Sequence, residues 1–241
     1  MSLCHRLYCL AVIVWSCLGS SAAEAGVRLD AIQARGTLVC GMASADPGFS
    51  VAVEPGVFVG LEADLCRALA TVVLGEASRV RFVPLDTVHE FLAQGDIDLV
   101  FHRLTWTLSR EAPGQLEFGP VYFYEMSPSQ TLEPLAPLLR SDDSDFARVV
   151  RWSIFALLQA EWEGVDQRRA ARTLDMEAWP PAASDLLPGL SPGWARHMVA
   201  EVGNYGEIYN RHLGPRSTLP LPRGPNRLHR DGGLFLVPLM R

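Results

Sequence analysis

Residues 105–110, with the sequence TWTLSR, combine hydroxyl groups, an aromatic ring and an arginine in one short segment. A carboxylate is best bound by a planar partner with two donors, and the guanidinium of Arg110 supplies one. Hydroxyls and backbone N–H groups at the start of a following helix can add further donors. The same spacing also fits a capped helix start with a surface arginine. Two interpretations therefore stand side by side, a carboxylate site and an ordinary helix start.

Residues that serve acid–base catalysis or metal binding show no comparable pattern. Asp96 and Asp98 flank one strand residue, and they fit solvated carboxylates at a strand entry better than a catalytic pair. No GxSxG elbow, P-loop or GxGxxG motif is present. The histidines after the N-terminal segment are dispersed, with no paired spacing on any helix: His89, His102, His197, His212 and His229. The sequence therefore predicts no catalytic residue, no metal site and no cofactor.

The first 25 residues have the pattern of a secretory signal peptide. His5 and Arg6 precede an apolar run of 12 residues at 7–18, and small residues follow at 19–23. The run is shorter than the roughly 20 residues that span a bilayer, and no later apolar run is longer. We therefore expect an exported, periplasmic protein whose mature chain has no membrane span. A lipid anchor on Cys17 is the alternative, which the bulky Trp15 just ahead of it disfavours.

The cysteines and the charge of the chain bear on disulfide formation and on the class of partner. Cys40 and Cys66 are the cysteines beyond the predicted signal peptide, and in an exported protein they form either one disulfide or two buried thiols. The spacing leaves both alternatives open. The formal net charge is −6, the chain has no lysine, and its arginines are scattered rather than gathered in a basic stripe. This pattern argues against nucleic acid as a partner.

The segments that position residues 105–110 alternate between strand and helix patterns. Strand patterns occur at 37–40, 79–83 and 97–101, and helical patterns occur from Leu61 to Gly75 and at 87–94. This β-α-β-α-β order predicts an α/β fold with a mostly parallel sheet flanked by helices. In such sheets ligands bind at the carboxyl ends of the strands. The loops after Cys40 and Phe101 are therefore expected beside any pocket.

The second half of the chain is mostly helical in pattern. A strand at 122–124 is followed by a proline-containing stretch at 127–137, where the pattern fades and we expect a linker or crossover. Four helices are expected beyond it: one capped by Asp142 or Ser144, a polar one in the segment from Val165 to Pro188 that is followed by a Pro-rich loop, one capped by Ser191 with Pro192 in its first turn, and one at 205–213.

The segment after the third predicted strand resembles a known signature. Asp98-Leu99-Val100 followed by residues 105–110 is similar to a motif of the general L-amino-acid-binding periplasmic proteins, which are family 3 solute-binding proteins of ABC importers. Further agreement follows in order along the chain: Cys40-Gly41 with residues 47–50, residues 60–68, which resemble the family's GFDVDFCRA helix start, and residues 152–161, 202–207 and 232–234. The resemblance covers nearly all of residues 27–241.

The resemblance implies a type II periplasmic-binding-protein-like fold with only one of the family's two lobes. Family members carry a second lobe, a domain on the order of 100 residues, where this chain passes from Tyr124 to Pro134 with almost nothing between. The expected organisation is a signal peptide at 1–25 and a single lobe at 26–241. That lobe is expected to comprise an N-terminal part at 26–126, a rejoined hinge at 127–137 and a helical C-terminal part at 138–241.

The resemblance also implies a partial solute site. Arg110 matches the family's arginine for the α-carboxylate and Thr105 matches its hydroxyl, whereas nothing corresponds to the acid that the second lobe supplies for the α-ammonium. Phe49, Arg103 and Trp106 are further candidates for ligand contacts. Without the second lobe, we expect an exposed apolar and aromatic patch that includes Phe49, Phe58 and Trp106.

The implied function is that of an amino-acid-binding component of an ABC transporter, with an amino acid and an ABC permease as its partners. The alternative is a repurposed single-lobe protein that has lost amino-acid binding and serves as a protein-interaction or accessory subunit for another periplasmic protein. An enzyme is not expected. The fold has relatives with lyase activity, but no acid–base constellation supports one in this sequence.

Overall fold

The computed structural model describes residues 26–172, 179, 187 and 189–240, so the predicted signal peptide and Cys17 lie outside the described residues. The strands are β1 (Leu38–Met42), β2 (Ala45–Asp46), β3 (Ser50–Glu54), β4 (Val57–Val59), β5 (Val80–Pro84), β6 (Leu99–Phe101), β7 (Leu116–Phe118), β8 (Phe123–Met126), β9 (Leu132–Leu135) and β10 (Leu138–Arg140). The helices are α1 (Val27–Arg35), α2 (Leu61–Leu74), α3 (Val88–Ala93), α4 (Leu108–Glu111), α5 (Ser144–Glu163), α6 (Gln167–Arg172), α7 (Trp194–Val202) and α8 (Tyr205–His212), with 3₁₀ turns at Gly224–Asn226 and His229–Asp231.

A five-stranded sheet in the order β5-β1-β6-β10-β7 forms the centre of the fold. β1 pairs in parallel with both β5 and β6, whereas β10 runs antiparallel to its neighbours β6 and β7. Four of these five strands therefore point the same way, and the prediction of a mostly parallel sheet flanked by helices is confirmed. All five residues of β1 are buried, as expected for a central strand covered on both faces.

Helix α2 packs against the sheet and brings its first turn close to the loop after β2. Its apolar pattern predicts a helix from Leu61 to Gly75, and the helix does end at a left-handed Gly75 with φ 79°. At the other end, a β-carbon on Gly60 would lie 2.0 Å from the Phe49 carbonyl oxygen, and Gly60 has φ 137°. Only glycine tolerates both conditions, so Gly60 allows this close approach. The Glu62 N–H then donates to the Phe49 carbonyl at 3.0 Å.

The predicted caps of two helices are wrong by one or a few residues. Helix α5 is capped by Asp143, not by Asp142 or Ser144, because the Asp143 carboxylate accepts the N–H groups of the first turn. Helix α7 begins at Trp194 rather than just after Ser191, because Gly193 adopts φ 71° and interrupts the helical path. Across the described residues, no helix is both long and apolar enough to cross a membrane.

Residues 127–137 form ordered β-structure instead of an irregular linker. β8 and β9 make an antiparallel hairpin in which Glu125 lies opposite Glu133. Its turn is closed by the Ser127 N–H, which donates to the Thr131 carbonyl at 2.9 Å. On the other edge of β9, the Pro134 carbonyl accepts a hydrogen bond from the Trp106 N–H at 2.8 Å. The contact between Trp106 and Pro134 joins residues that are far apart in the sequence, and a local pattern does not reveal it. The sequence alone therefore suggested a linker.

The chain after residue 137 is not purely helical, in contrast to the predicted helical C-terminal part. β9 leads directly into β10, which inserts between β6 and β7 in the central sheet. The C-terminal segment also returns to the hairpin. The Asn226 side chain accepts the Tyr124 N–H at 2.6 Å and donates to the Tyr124 carbonyl at 2.9 Å. Both contacts fix the position of β8.

A disulfide fastens the central strand to the helix that covers it. Cys40 of β1 and Cys66 of α2 are bonded, with their α-carbons 6.4 Å apart. Of the two alternatives that the sequence leaves open, the structure has the bridge. It thereby links the strand that ends at the candidate site to the helix that contributes Glu62.

Candidate functional site

The loops after β1 and β6 start side by side at the carboxyl edge of the sheet. Met42 and Phe101, the last residues of these strands, are register partners. The first loop leads through β2 to Phe49, and the second contains Arg103 and Thr105. This is the edge at which parallel sheets bind ligands, and the structure brings three of the predicted site residues together there.

The guanidinium of Arg103 is enclosed by two carboxylates and an aromatic ring. Its Nη1 donates to Asp46 Oδ1 of β2 at 2.9 Å, and its Nη2 donates to Glu125 Oε1 of β8. Its central carbon lies 4.7 Å from the ring centroid of Phe49, within the range of a cation–π contact. Burial alone would lower the pKa of Arg103, but Asp46 and Glu125 outweigh it and raise that pKa. Arg103 is therefore firmly cationic.

Glu62 holds the backbone of Arg103 in place through a hydrogen bond. Arg103 has φ 44°, a left-handed conformation that is uncommon for a residue with a β-carbon. Its N–H donates to Glu62 Oε1 at 2.8 Å, and the Tyr122 hydroxyl donates to the same oxygen. Glu62 is fully buried, and this burial raises its pKa despite both hydrogen bonds. Burial and the nearby Glu62 also raise the pKa of Tyr122 well above its usual value.

The two predicted carboxylate contacts are engaged with groups of the chain itself. Thr105 Oγ1 donates to Glu133 Oε2 of β9 at 2.6 Å. Arg110, on the short helix α4, donates from Nη1 to the Thr105 carbonyl. The family resemblance assigns the Thr105 hydroxyl to a solute carboxylate, but this hydroxyl is already bonded to the Glu133 carboxylate.

Arg110 also lines a cavity of about 400 Å³ between α3 and α4. Its polar neighbours there are Thr87, His89, Ser109 and Gln115, and its apolar neighbours include Val88, Leu92 and Leu116. A guanidinium beside an apolar wall suits a carboxylate that carries an apolar group.

The predicted exposed aromatic patch is wrong for two of its three residues. Phe49 is 1% exposed and Phe58 is 2% exposed. The ring of Phe49 packs on Phe123 with 5.0 Å between centroids, and the ring of Phe58 packs on Phe82 with 5.3 Å. Both rings therefore belong to the core, and burial of their apolar area stabilises the lobe without a partner.

Trp106 faces a different groove from the other site residues. It is 45% exposed, and its ring centroid lies 6.3 Å from that of Phe118. The groove has a volume of about 440 Å³ and is also lined by Tyr124, Phe155 and Phe235. The structure thus separates Trp106 from the cluster around Arg103.

The acids of the site are the residues that sequence reasoning missed. Asp46 and Glu125 pair with Arg103, and Glu133 pairs with Thr105. Asp46 follows β1 and could have been found from its place in the loop at the carboxyl edge. Glu125 and Glu133 could not, because their common face depends on the β8–β9 hairpin.

Asp98 is a core residue, contrary to its interpretation as a solvated carboxylate. It is 1% exposed and accepts the Val39 N–H at 2.8 Å, so it joins β6 to β1. Burial raises its pKa, even though Arg35 pairs with it. Asp96 does lie at the surface, where it pairs with Arg81.

Comparisons with known proteins give relatives that match over more than nine-tenths of the chain. No protein-family model matches. YhdW of Escherichia coli (strain K12), which carries the name of an amino-acid ABC transporter-binding protein, is 26% identical over 324 residues, covering 91% of this chain and 94% of its own. AapJ of Rhizobium johnstonii, a general L-amino acid-binding periplasmic protein, is 24% identical over 328 residues, covering 93% and 95%.

A solved structure shares the fold. It is an ABC transporter periplasmic binding protein from Brucella ovis with glutathione bound, and it superposes with a TM-score of 0.79 at 22% identity, covering 88% of this chain and 99% of that one. The relatives and this fold confirm the resemblance seen in the sequence motifs. The chain is a relative of the amino-acid-binding proteins of ABC transporters and has the fold of the periplasmic binding proteins.

Proposed function

We propose that this chain is a periplasmic amino-acid-binding component of an ABC transporter, and that Arg110 and Thr105 contact the α-carboxylate of its solute. The observation that carries the proposal is the hydrogen bond from Arg110 on α4 to the Thr105 carbonyl, which joins the two predicted contacts after β6, at the carboxyl edge of the sheet. An arginine and a hydroxyl at this edge are the donors that a carboxylate requires. The relatives that match over most of the chain are named as amino-acid-binding proteins, which supports binding rather than catalysis.

The proposed receptor consists of a single lobe. In the alignment with YhdW, 91% of 241 residues is about 219 residues, roughly 100 fewer than the 324 aligned positions. We place this gap between Tyr124 and Pro134, where the β8–β9 hairpin closes the chain on itself. One lobe leaves a solute partly in water, so each charge contact is weakened towards its surface value. We therefore expect modest affinity until a permease or another periplasmic protein covers the site.

Solute binding requires a rearrangement at Thr105. Its hydroxyl donates to Glu133, so a solute carboxylate has to displace the Glu133 carboxylate before it can use this donor. Two carboxylates at one hydroxyl repel each other, and this competition lowers the apparent affinity further.

Calorimetric titration of the mature chain with the common amino acids and with glutathione tests the proposal. Glutathione is included because the Brucella ovis neighbour was solved with it. We expect saturable binding of at least one compound, and an Arg110→Gln variant that binds about tenfold more weakly or worse, since it loses the charged donor pair. Arg81→Gln, at an ion pair whose side chains are 51% and 59% exposed, is the matched control and keeps full affinity. Binding that Arg110→Gln leaves unchanged contradicts the proposed contact, and a panel without any binding contradicts the function.

Export to the periplasm is the second part of the proposal. The basic start, the 12-residue apolar run and the small residues after it support cleavage after Ala23 or Ala25. N-terminal sequencing of the protein recovered from a periplasmic fraction tests this. A mature chain that still carries residues 1–23 argues against a cleaved signal peptide.

A further inference from the structure

The guanidinium of Arg103 lies in a cluster that has the composition of a ligand site. We name Asp46, Phe49 and Glu125 the guanidinium clamp. Asp46 comes from β2, Phe49 from the loop that follows it, and Glu125 from the hairpin strand β8. The two carboxylates accept hydrogen bonds from the two terminal nitrogens of the guanidinium. The ring centroid of Phe49 lies 4.7 Å from the central carbon of the same group. This is how proteins recognise a free guanidinium group.

The backbone of Arg103 shows that its place in the clamp is imposed by the surroundings. A left-handed conformation at φ 44° is costly for a non-glycine residue and persists only where the surrounding contacts determine it. Glu62 supplies one such contact by accepting the Arg103 N–H at 2.8 Å. An exposed ion pair such as that of Arg81 and Asp96 is not held in this way.

Unsatisfied polar atoms lie beside the clamp. Within the described part of the chain, Glu62 Oε2 and Arg103 Nε are buried without a hydrogen-bond partner. Glu62 is fully buried, which raises its pKa, and the negative charge of Asp46 adds to this effect. The arginine that fills the clamp therefore leaves one of its own donors and a neighbouring acceptor unpaired. Buried polar groups are usually paired, although the Nε atoms of Arg140 and Arg196 are unpaired as well.

We propose that Asp46, Phe49 and Glu125 form a subsite for the guanidinium group of a cationic solute, and that Arg103 fills this subsite from within the chain. The inference rests on the proposed function, because Arg103, which fills the subsite, lies in the same loop after β6 as Thr105. A solute with a guanidinium group has to compete for the subsite with the Arg103 side chain, which is covalently part of the chain. If Arg103 fills the clamp in nine-tenths of the molecules, such a solute binds about tenfold more weakly than the empty clamp allows.

Removal of the Arg103 side chain tests the proposal. Arg103→Gly is the best variant, since glycine adopts φ 44° without strain while the clamp residues stay in place. The probe is methylguanidinium at millimolar concentration, which fits the clamp but has no carboxylate. We expect it to raise the thermal midpoint of Arg103→Gly and to bind this variant about tenfold more tightly than it binds the wild type.

Two further variants show where the probe binds. Arg103→Gly combined with Glu125→Gln removes one carboxylate of the clamp and is expected to lose the response. Arg81→Gly removes an arginine from an exposed ion pair and is expected to respond to the probe only as weakly as the wild type. A single Arg103→Gly variant that folds and binds methylguanidinium no better than the wild type overturns the proposal. Equal binding by the double variant overturns it as well.

Folding of the variant is measured alongside. Should Arg103→Gly be unstable, refolding yield is followed with and without methylguanidinium, and Arg103→Ala is treated in the same way. A yield that rises with the probe supports the clamp, and a yield that ignores the probe in both variants overturns it. Methylguanidinium has no carboxylate, so its binding does not report on the carboxylate contacts proposed for Arg110 and Thr105. The clamp and the amino-acid-binding function can therefore fail separately.

Discussion

Glu62 links the helix α2 to the loop that presents Arg103. Its Oε1 accepts from the Arg103 N–H and the Tyr122 hydroxyl, so one buried carboxyl organises two segments of the site. Burial raises its pKa above the ordinary value of 4.5. At a pH between 4.5 and this raised pKa, Glu62 therefore keeps a proton in the folded protein that it has released in the unfolded chain.

This raised pKa predicts a pH-dependent effect of Glu62→Gln. A raised folded pKa means that the stability contributed by protonated Glu62 is full below pH 4.5 and is lost as the pH rises through the folded value. Glutamine imitates the protonated carboxyl and does not titrate. Urea unfolding is therefore expected to show the variant gaining stability relative to wild type as the pH rises above 4.5 and towards the raised pKa of Glu62. Glu54→Gln, at an exposed position of β3, is the control. A difference that stays flat with pH would disprove the prediction.

Candidate residues of the site could be named from the sequence only where the family resemblance covered them, and their roles stay predictions. Thr105 and Arg110 stand out because six consecutive residues match a signature, whereas their own hydrogen bonds could not be foreseen. Asp46 and Glu125 lie 57 and 22 residues away from Arg103 in sequence. No local pattern connects such residues, since only the folded loops bring their charges together.

Asp143 caps one helix and fixes the start of another. Its carboxylate accepts the N–H groups of Asp145 and Phe146 in α5, each at 2.9 Å. It also accepts those of Arg28 at 2.7 Å and Leu29 at 3.0 Å, at the start of α1. Burial alone would raise the pKa of Asp143, but these N–H groups outweigh it and lower the pKa. Its stabilising effect is therefore lost only as the pH falls through the lowered value, below the usual 3.8.

Asp143→Ala is expected to lower the free energy of unfolding by roughly 2–4 kcal/mol, because it leaves buried N–H groups of two helices unpaired. The neighbouring Asp142→Ala is the matched control. Asp142 is 54% exposed and pairs with Arg28, so its loss is expected to cost about 1 kcal/mol or less. Chemical denaturation at neutral pH measures both. Equal losses in the two variants would show that Asp143 does not join the helices.

Elements were predictable where their pattern is long and local. The repeated apolar spacing of α2 and its glycine stop define the helix almost to the residue. The cap of α5 was missed because Asp142, Asp143 and Ser144 are all good capping residues, and contacts with α1 decide among them. β9 and β10 were missed because each is only three or four residues long and gains its order from distant partners.

At the scale of the whole molecule, the Cys40–Cys66 disulfide closes a loop of 26 residues around the strand that leads to the site. Replacing both cysteines by alanine is expected to lower the free energy of unfolding by about 3–4 kcal/mol, as the unfolded chain regains the freedom of that loop. Thermal unfolding with and without a reductant measures the effect. The reductant is expected to lower the wild-type midpoint and to leave the double variant unchanged. A reductant effect of equal size on both would contradict the prediction.

The overall architecture was within reach of the sequence, but the reversed strand was not. Alternating strands and helices suffice to predict a mostly parallel sheet, since each parallel step needs a crossover helix. β10 breaks this rule because the chain arrives from the hairpin at the opposite end of the sheet. That return path also places Glu125 and Glu133 against the site loops.

The turn between β8 and β9 lies outside the paired part of the hairpin. The Ser127 N–H donates to the Thr131 carbonyl, and all four residue pairs of the hairpin lie on the strand side of this bond. Residues 128–130 are exposed at the tip of the turn. Exposed turn tips tolerate added residues at a small entropic cost. We therefore expect an insertion at residues 128–130 to leave the register of β8 and β9 unchanged.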